Sequence, residues 1–309
     1  MEALAIVLNA PRTLSVEAVK LCDPSATDVV VDVKHTGISA GTERLLWDGK
    51  MPPFPGMGYP LVPGYETVGR VVDAGSTGSF RAGDAVFVPG ARCYEDVRPL
   101  FGGAASCLVC DPQRIHKVHS AEPEAVLLAL AATAHHAIAV GGAPDLIVGH
   151  GVLGRLVARI AIALGNPAPT VHEIKVSRSE AEPYPVVHPD EDERRDYRAI
   201  MDASGDHKII DKAVTRLGHG GSVTLAGFYG AEMTFAFPAA FMKEAKILIA
   251  AEWAPADLTA VQSLLDAGTL SLGGLITHTA PAQSAPDAYR TAFTDPDCLK
   301  MVLNWGSVQ

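Results

Sequence analysis

The chain has 309 residues, 48% hydrophobic and 19% charged, with a formal net charge of −10. That length exceeds one ordinary core and suits two domains, and the acidic balance argues against nonspecific nucleic-acid binding. Five cysteines, an odd number scattered along the chain, do not make a disulfide framework.

The opening Met1-Glu2-Ala3-Leu4 lacks the basic-then-apolar pattern of a secretion signal. Residues 126–140 form the longest apolar stretch, but His135 and His136 interrupt it and it falls short of a bilayer span. A cytoplasmic protein without membrane insertion is expected.

The first third reads as short strands, at 5–8, 29–33, 67–72 and 85–88, punctuated by Pro, Gly and Asp. Residues 51–63 carry Pro52, Pro53, Pro55, Pro60 and Pro63 and read as an irregular loop. Met51, Phe54, Met57 and Tyr59 make that loop apolar, which suits either a binding wall or packing on its own core. From Glu122 onward helices alternate with apolar runs. Strands are expected at Leu146–Val148, 170–171, 200–201, 222–226 and 247–251, and helices at 152–164, 208–217 and 258–266. This alternation predicts a doubly wound parallel sheet. The acidic and basic run 190–196 reads as a solvated turn or helix face.

Gly149-His150-Gly151-Val152-Leu153-Gly154 follows the apolar strand directly and opens an apolar helix. In that context the glycine spacing marks a dinucleotide site. Gly149 serves the tight turn, Gly151 lets the backbone approach a pyrophosphate, and Gly154 lets helix and sheet pack. The N–H groups of Val152 and Leu153 open the helix toward the phosphates. Glu173 follows the next strand, where an acid meets a ribose hydroxyl and favours NAD over NADP. Lys175 and Arg178 lie just beyond and pull the other way.

The whole chain resembles the medium-chain dehydrogenase/reductase superfamily. The segments that carry this are Thr36-Gly37-Ile38-Ser39-Ala40-Gly41-Thr42-Glu43, Val62-Pro63-Gly64-Tyr65-Glu66, Val68-Gly69-Arg70-Val71-Val72 and Gly83-Asp84-Ala85-Val86. The resemblance implies an α/β protein, with a GroES-like β-rich catalytic domain at 1–121 with 275–309 and a Rossmann domain at 122–274. It also assigns Ala203, Gly205 and Gly227 to the cofactor site. Zinc-dependent members carry a Cys where this chain has Ala40 or Ser39, and a His where it has Tyr65. Their remaining ligand falls among 128–133, where no ligand type stands. No catalytic metal is therefore expected. Cys107-Leu108-Val109-Cys110, with Cys93 near, lacks a fourth ligand and reads as three small, mostly buried thiols.

Further segments sharpen the resemblance: Val88-Pro89-Gly90-Ala91, Val187-His188-Pro189-Asp190-Glu191-Asp192, Asp202-Ala203-Ser204-Gly205, Leu225-Ala226-Gly227-Phe228-Tyr229 and Ala251-Glu252-Trp253. They are similar to the branch that serves bacteriochlorophyll synthesis by oxidising a 3-(1-hydroxyethyl) group to a 3-acetyl group. That implies NAD as oxidant and a tetrapyrrole substrate. Without zinc, positioned hydroxyls must manage the proton. Thr42 stands where the superfamily relays the hydroxyl proton, and Ser39, Tyr65 and Glu66 stand at the former metal locus. Tyr65 is alternatively a core aromatic. Arg44 is a candidate for a propionate, and Trp47, Phe54, Met57 and Tyr59 for one wall of a macrocycle slot, with Trp253 or Phe241 opposite. A homodimer through the sheet edge near 247–251 is expected. Two rival readings remain: a zinc-free quinone or enoyl reductase using NADPH, and a nucleotide-binding protein that has lost chemistry.

Overall fold

The computed structural model describes residues 1–53, 55–175, 182–230 and 232–306. The chain forms two compact units, residues 1–129 with 273–309 and residues 130–272. The first boundary falls after the one expected from the sequence. The 3-10 turn Pro123–Leu127 packs on strands of the first unit, and that keeps the segment there.

The first unit opens with β1 (Glu2–Ala10), β2 (Thr13–Lys20), β3 (Val29–Ile38) and the short α1 (Thr42–Trp47). It continues with β4 (Leu61–Val62), β5 (Thr67–Asp73), β6 (Ala85–Val88), β7 (Arg98–Pro99), β8 (Cys107–Cys110) and β9 (His116–Lys117). The described residues of the 51–63 loop are irregular up to β4, where Leu61 pairs with Leu8 of β1, and Leu61 and Val62 pair with Arg98 and Pro99 of β7. Cys93 and Cys110 are buried and Cys107 is half-buried. Burial pushes all three thiols up, Cys93 to about 11.

The division between the units falls within the first turn of α2 (Leu128–Gly141). With the preceding turn the helix makes a run of 19 residues, Pro123–Gly141, that is long and apolar enough to cross a membrane, and half of its most apolar window is buried in the protein. The run meets that test by length and composition alone, as the buried core helix of a globular protein does, and the 15 residues 126–140 read from the sequence are shorter than it. The second unit then alternates β10 (Leu146–Val148), α3 (Val152–Ala163), β11 (Thr170–His172), β12 (Val186–Val187), β13 (Tyr197–Asp202), α4 (Ile209–Arg216), β14 (Leu217–Leu225), α5 (Phe237–Met242), β15 (Lys246–Ile249) and α6 (Pro255–Asp266). Its six strands are parallel in the order β12-β11-β10-β13-β14-β15. The order reverses between β10 and β13, so their following loops leave in opposite directions and open a crevice at the strand ends.

The chain then returns to the first unit with β16 (His278–Pro281), α7 (Ala285–Thr294) and β17 (Met301–Asn304). β17 pairs antiparallel with β3, Met301 opposite Ile38, and β3 pairs with β5. This larger sheet runs β16-β17-β3-β5-β6-β9, with β8 also on β3, and the smaller one runs β2-β1-β4-β7. Ile6, Val31, Ile38, Val86, Leu108 and Trp305 fill the core between them.

The run 190–196 is exposed as expected, except at Asp192, which is half-buried. Asp192 is turned inward and accepts hydrogen bonds from Tyr197 Oη (2.9 Å) and Arg216 Nη1 (3.0 Å), with His172 Nε2 at 2.7 Å. Three polar partners from β11, β13 and α4 draw it in.

Candidate active site and cofactor loop

In the second unit the glycine loop sits at the reversal of strand order. Gly149 has φ +99°, and a Cβ there would come within 2.8 Å of Ser204 Cα. A Cβ on Gly154 would collide with the Gly149 carbonyl, so the helix and loop demand both glycines. Gly151 is different. Nothing lies within 4 Å of a Cβ built there, and it caps α3 with no side-chain hydrogen bond. The fold itself does not need a glycine at 151, while open space and the uncapped N–H groups at Val152 and Leu153 suit a pyrophosphate. The residues present fit a dinucleotide.

Glu173 stands one residue beyond β11, half-buried, its Oε1 accepting the Lys175 N–H at 2.8 Å. Ala203 follows β13 and donates its N–H to the Val148 carbonyl (2.9 Å). Gly205 lies in the next turn with φ +73°, and Gly227 follows β14 beside Tyr229. Asp202, a residue the sequence reading did not single out, is fully buried at the end of β13. It accepts from Ser204 Oγ at 2.6 Å and from Tyr229 Oη. Burial raises its pKa, against both of those hydrogen bonds.

In the first unit the ends of β3 and β5 bring three hydroxyls together. Ser39 Oγ lies 2.5 Å from Tyr65 Oη, which donates to Thr42 Oγ1 at 3.3 Å. The Tyr65 ring packs edge-on to Phe101, with centroids 5.1 Å apart. Burial, with the neighbouring Glu66 charge, pushes the phenol pKa up. Beneath the cluster Glu66 is fully buried and pairs with Lys300, itself 3% exposed. Burial raises the Glu66 pKa and Lys300 opposes it. Gly37 makes room, since a Cβ there would collide with the Glu66 carboxylate. Glu43 Oε1 accepts the Ser39 N–H at 3.3 Å, and its Oε2 accepts from Tyr289 Oη at 2.6 Å. Lys300 and Tyr289 carry no sequence signal. They reach the site because Lys300 leads into β17, which pairs with β3, and because α7 packs on β2 and β17.

These groups do not fit zinc, which needs thiolate, imidazole or carboxylate donors in a tetrahedron. Ala40 offers none, Ser39 and Tyr65 hydrogen-bond each other, and Glu66 is held by Lys300. Among the described residues no group of three or more His, Cys, Asp or Glu is placed to hold a metal.

The residues suggested for a macrocycle slot are placed as follows. Arg44 is exposed on α1, with Nε 4.0 Å from Asp48 Oδ2. Trp47 packs on Tyr289 and Phe293, at 6.3 and 6.0 Å between centroids. Met57 and Tyr59 pack on a small core of Leu8, Leu46, Leu61 and Leu100, and Tyr59 donates to the Leu46 carbonyl at 2.5 Å. Phe241 is exposed and Trp253 half-buried. Phe54, like Arg178, lies outside the described residues.

Comparison with known proteins fits this geometry. Residues 25–121 match the alcohol dehydrogenase GroES-like domain. The chain is 53% identical, over 99% of both chains, to the 2-desacetyl-2-hydroxyethyl bacteriochlorophyllide A dehydrogenases of Cereibacter sphaeroides and Rhodobacter capsulatus. The chain belongs to that dehydrogenase family. An Escherichia coli alcohol dehydrogenase solved with NADH shares the fold at TM-score 0.83 and 21% identity, covering 98% of this chain and 99% of that one. The family is an alcohol-oxidising branch of the medium-chain dehydrogenases, and its cofactor is a nicotinamide dinucleotide.

Proposed function

We propose that the chain oxidises the 3-(1-hydroxyethyl) group of a bacteriochlorophyllide to a 3-acetyl group, with NAD as oxidant and without a catalytic zinc. The full-length 53% identity to the two bacteriochlorophyllide dehydrogenases carries the reading. Bound NAD supplies the acceptor for the carbinol hydride. The chain's own residues do the rest. The 149–154 loop and the start of α3 bind the pyrophosphate, and Glu173 takes a ribose hydroxyl, which favours NAD. Tyr65 meets the carbinol oxygen, Thr42 passes the proton outward, Ser39 holds Tyr65 in place, and Glu66 acts on Tyr65 through its nearby charge. Conjugation of the new ketone with the macrocycle lowers the help needed from a Lewis acid. Arg44, Trp47, Phe54, Met57 and Tyr59 are the proposed contacts for the tetrapyrrole and its propionate.

We place this enzyme in the cytoplasm and as a homodimer. β15 ends its sheet with one edge unpaired, and Phe237, Phe241, Met242 and Ile249 beside it are exposed by 64–73%. An edge so exposed and apolar calls for cover, and a second copy of the same strand extends the sheet across a twofold axis.

The reading is tested by mixing purified protein with a 3-(1-hydroxyethyl) bacteriochlorophyllide and NAD, in the presence of chelator. Acetyl product and NADH in equal amounts are expected. NADPH-dependent reduction of a quinone or enone in its place, or cofactor binding with no turnover, overturns it.

A further inference from the structure

Below the hydroxyl cluster lies a group of buried charges that the proposed chemistry leaves largely unused. Two acids, Glu43 and Glu66, share it with one cation, Lys300, and the Tyr289 phenol, all 3% exposed or less. Lys300 is taken by Glu66. Among the described residues Glu43 has no ion-pair partner, and neutral donors satisfy it instead.

The arrangement of those donors is informative. The Glu43 N–H donates to the Ser39 carbonyl at 3.1 Å, while the Glu43 carboxylate accepts the Ser39 N–H at 3.3 Å. Both main-chain polar groups of Ser39 are therefore held by one residue. The other carboxylate oxygen is anchored to Tyr289, on α7. Ser39 in turn places its Oγ 2.5 Å from Tyr65 Oη.

We infer that Glu43 is a positioning residue, whose carboxylate ties the Ser39 amide to Tyr289 and so sets the Ser39–Tyr65–Thr42 hydroxyl geometry. The kinetic part of this inference rests on the alcohol-oxidation reading, and the structural part does not. Burial, opposed by the Tyr289 hydrogen bond and aided by Glu66, pushes the Glu43 carboxyl up to about 7. The charged and titratable groups facing it are Glu66 and Tyr65 beside β5, Lys300 just before β17, and Tyr289 on α7. Lys300 favours the ionised form and Glu66 the protonated one. A protonated carboxyl keeps one strong acceptor oxygen and brings a hydrogen of its own. One of the two accepted bonds is then weakened, and the Ser39 loop loosens as pH falls through neutrality.

The test is deuterium exchange at the Ser39 amide, read by NMR on the intact protein, with Glu43→Gln and Tyr289→Phe as variants. In wild type, Ser39 protection corrected for intrinsic exchange should fall as pH drops through about 7. In Glu43→Gln protection should drop on the order of tenfold, the worth of a hydrogen bond to a charged group, and lose its pH dependence. Tyr289→Phe should lower protection while leaving the Ser39 side intact. In the oxidation assay, kcat should fall on the order of 10- to 100-fold with KM little changed, the expected result of misplaced reacting groups. The acid limb of the kcat profile should vanish in Glu43→Gln. Unchanged Ser39 protection in both variants overturns the inference, and so do altered protection with unmoved kcat and pH profile. Altered protection in the variants, together with a wild type that oxidises no bacteriochlorophyllide, supports the contact and removes the alcohol reading instead.

Discussion

The Ser39 hydroxyl and the Tyr65 phenol lie 2.5 Å apart across a separation of 26 residues. Strand register brings them together. β3 and β5 run antiparallel with Thr36 opposite Thr67, so the loop leaving one strand meets the loop entering the other. Thr42 Oγ1 completes the cluster, 3.3 Å from Tyr65 Oη.

Removing either the Thr42 or the Tyr65 hydroxyl should disable the proton path and spare the fold. For Thr42→Val and Tyr65→Phe the single-turnover rate of carbinol oxidation should fall on the order of 10²–10⁴-fold, as for loss of one acid–base group. NAD affinity, measured by fluorescence titration, should stay near wild type. Near wild-type single-turnover rates in both variants would remove Tyr65 and Thr42 from the mechanism.

Elemental analysis of the purified protein should find no stoichiometric zinc, and chelator should leave turnover intact. The physical basis is the donor set, two mutually bonded hydroxyls and a carboxylate already paired with Lys300. One tightly bound zinc per chain, lost together with activity, contradicts it.

Glu173→Ala should weaken NAD binding and narrow the preference over NADP, since the ribose loses its acceptor. Calorimetric titration with both cofactors reads this directly. Equal affinities in wild type and variant would show that Glu173 does not reach the ribose.

Lys300→Met should be costly, because it leaves the Glu66 carboxylate buried without its counter-charge. Breaking a buried pair from one side typically costs about 3–5 kcal/mol, whereas replacing both partners is far milder. Urea unfolding should therefore show Lys300→Met well below wild type and Glu66→Gln/Lys300→Met partly restored. A double variant less stable than the single one would mean that Lys300 supports the fold in some other way.

The cofactor loop was legible because its signal is local. An apolar triplet, glycines at fixed spacing and an amphipathic helix follow one another, and β10 and α3 appear where the pattern puts them. The strands β3, β5 and β6 were legible for the same reason: each is an apolar run bounded by turn residues. Ser39, Thr42, Tyr65 and Glu66 could be named through resemblance, but not their contacts.

Long-range pairing decided the rest. Asp192 sits in a charged run that looks solvated, and only the convergence of His172, Tyr197 and Arg216 turns it inward. The chain's own sequence determined a nicotinamide-binding parallel sheet, since phosphate recognition is built from consecutive residues. Tertiary structure alone decided what lies beneath the hydroxyls. Lys300 arrives just before β17 and Tyr289 on α7, and sequence spacing says nothing about a charge that reaches its partner through the register of another strand.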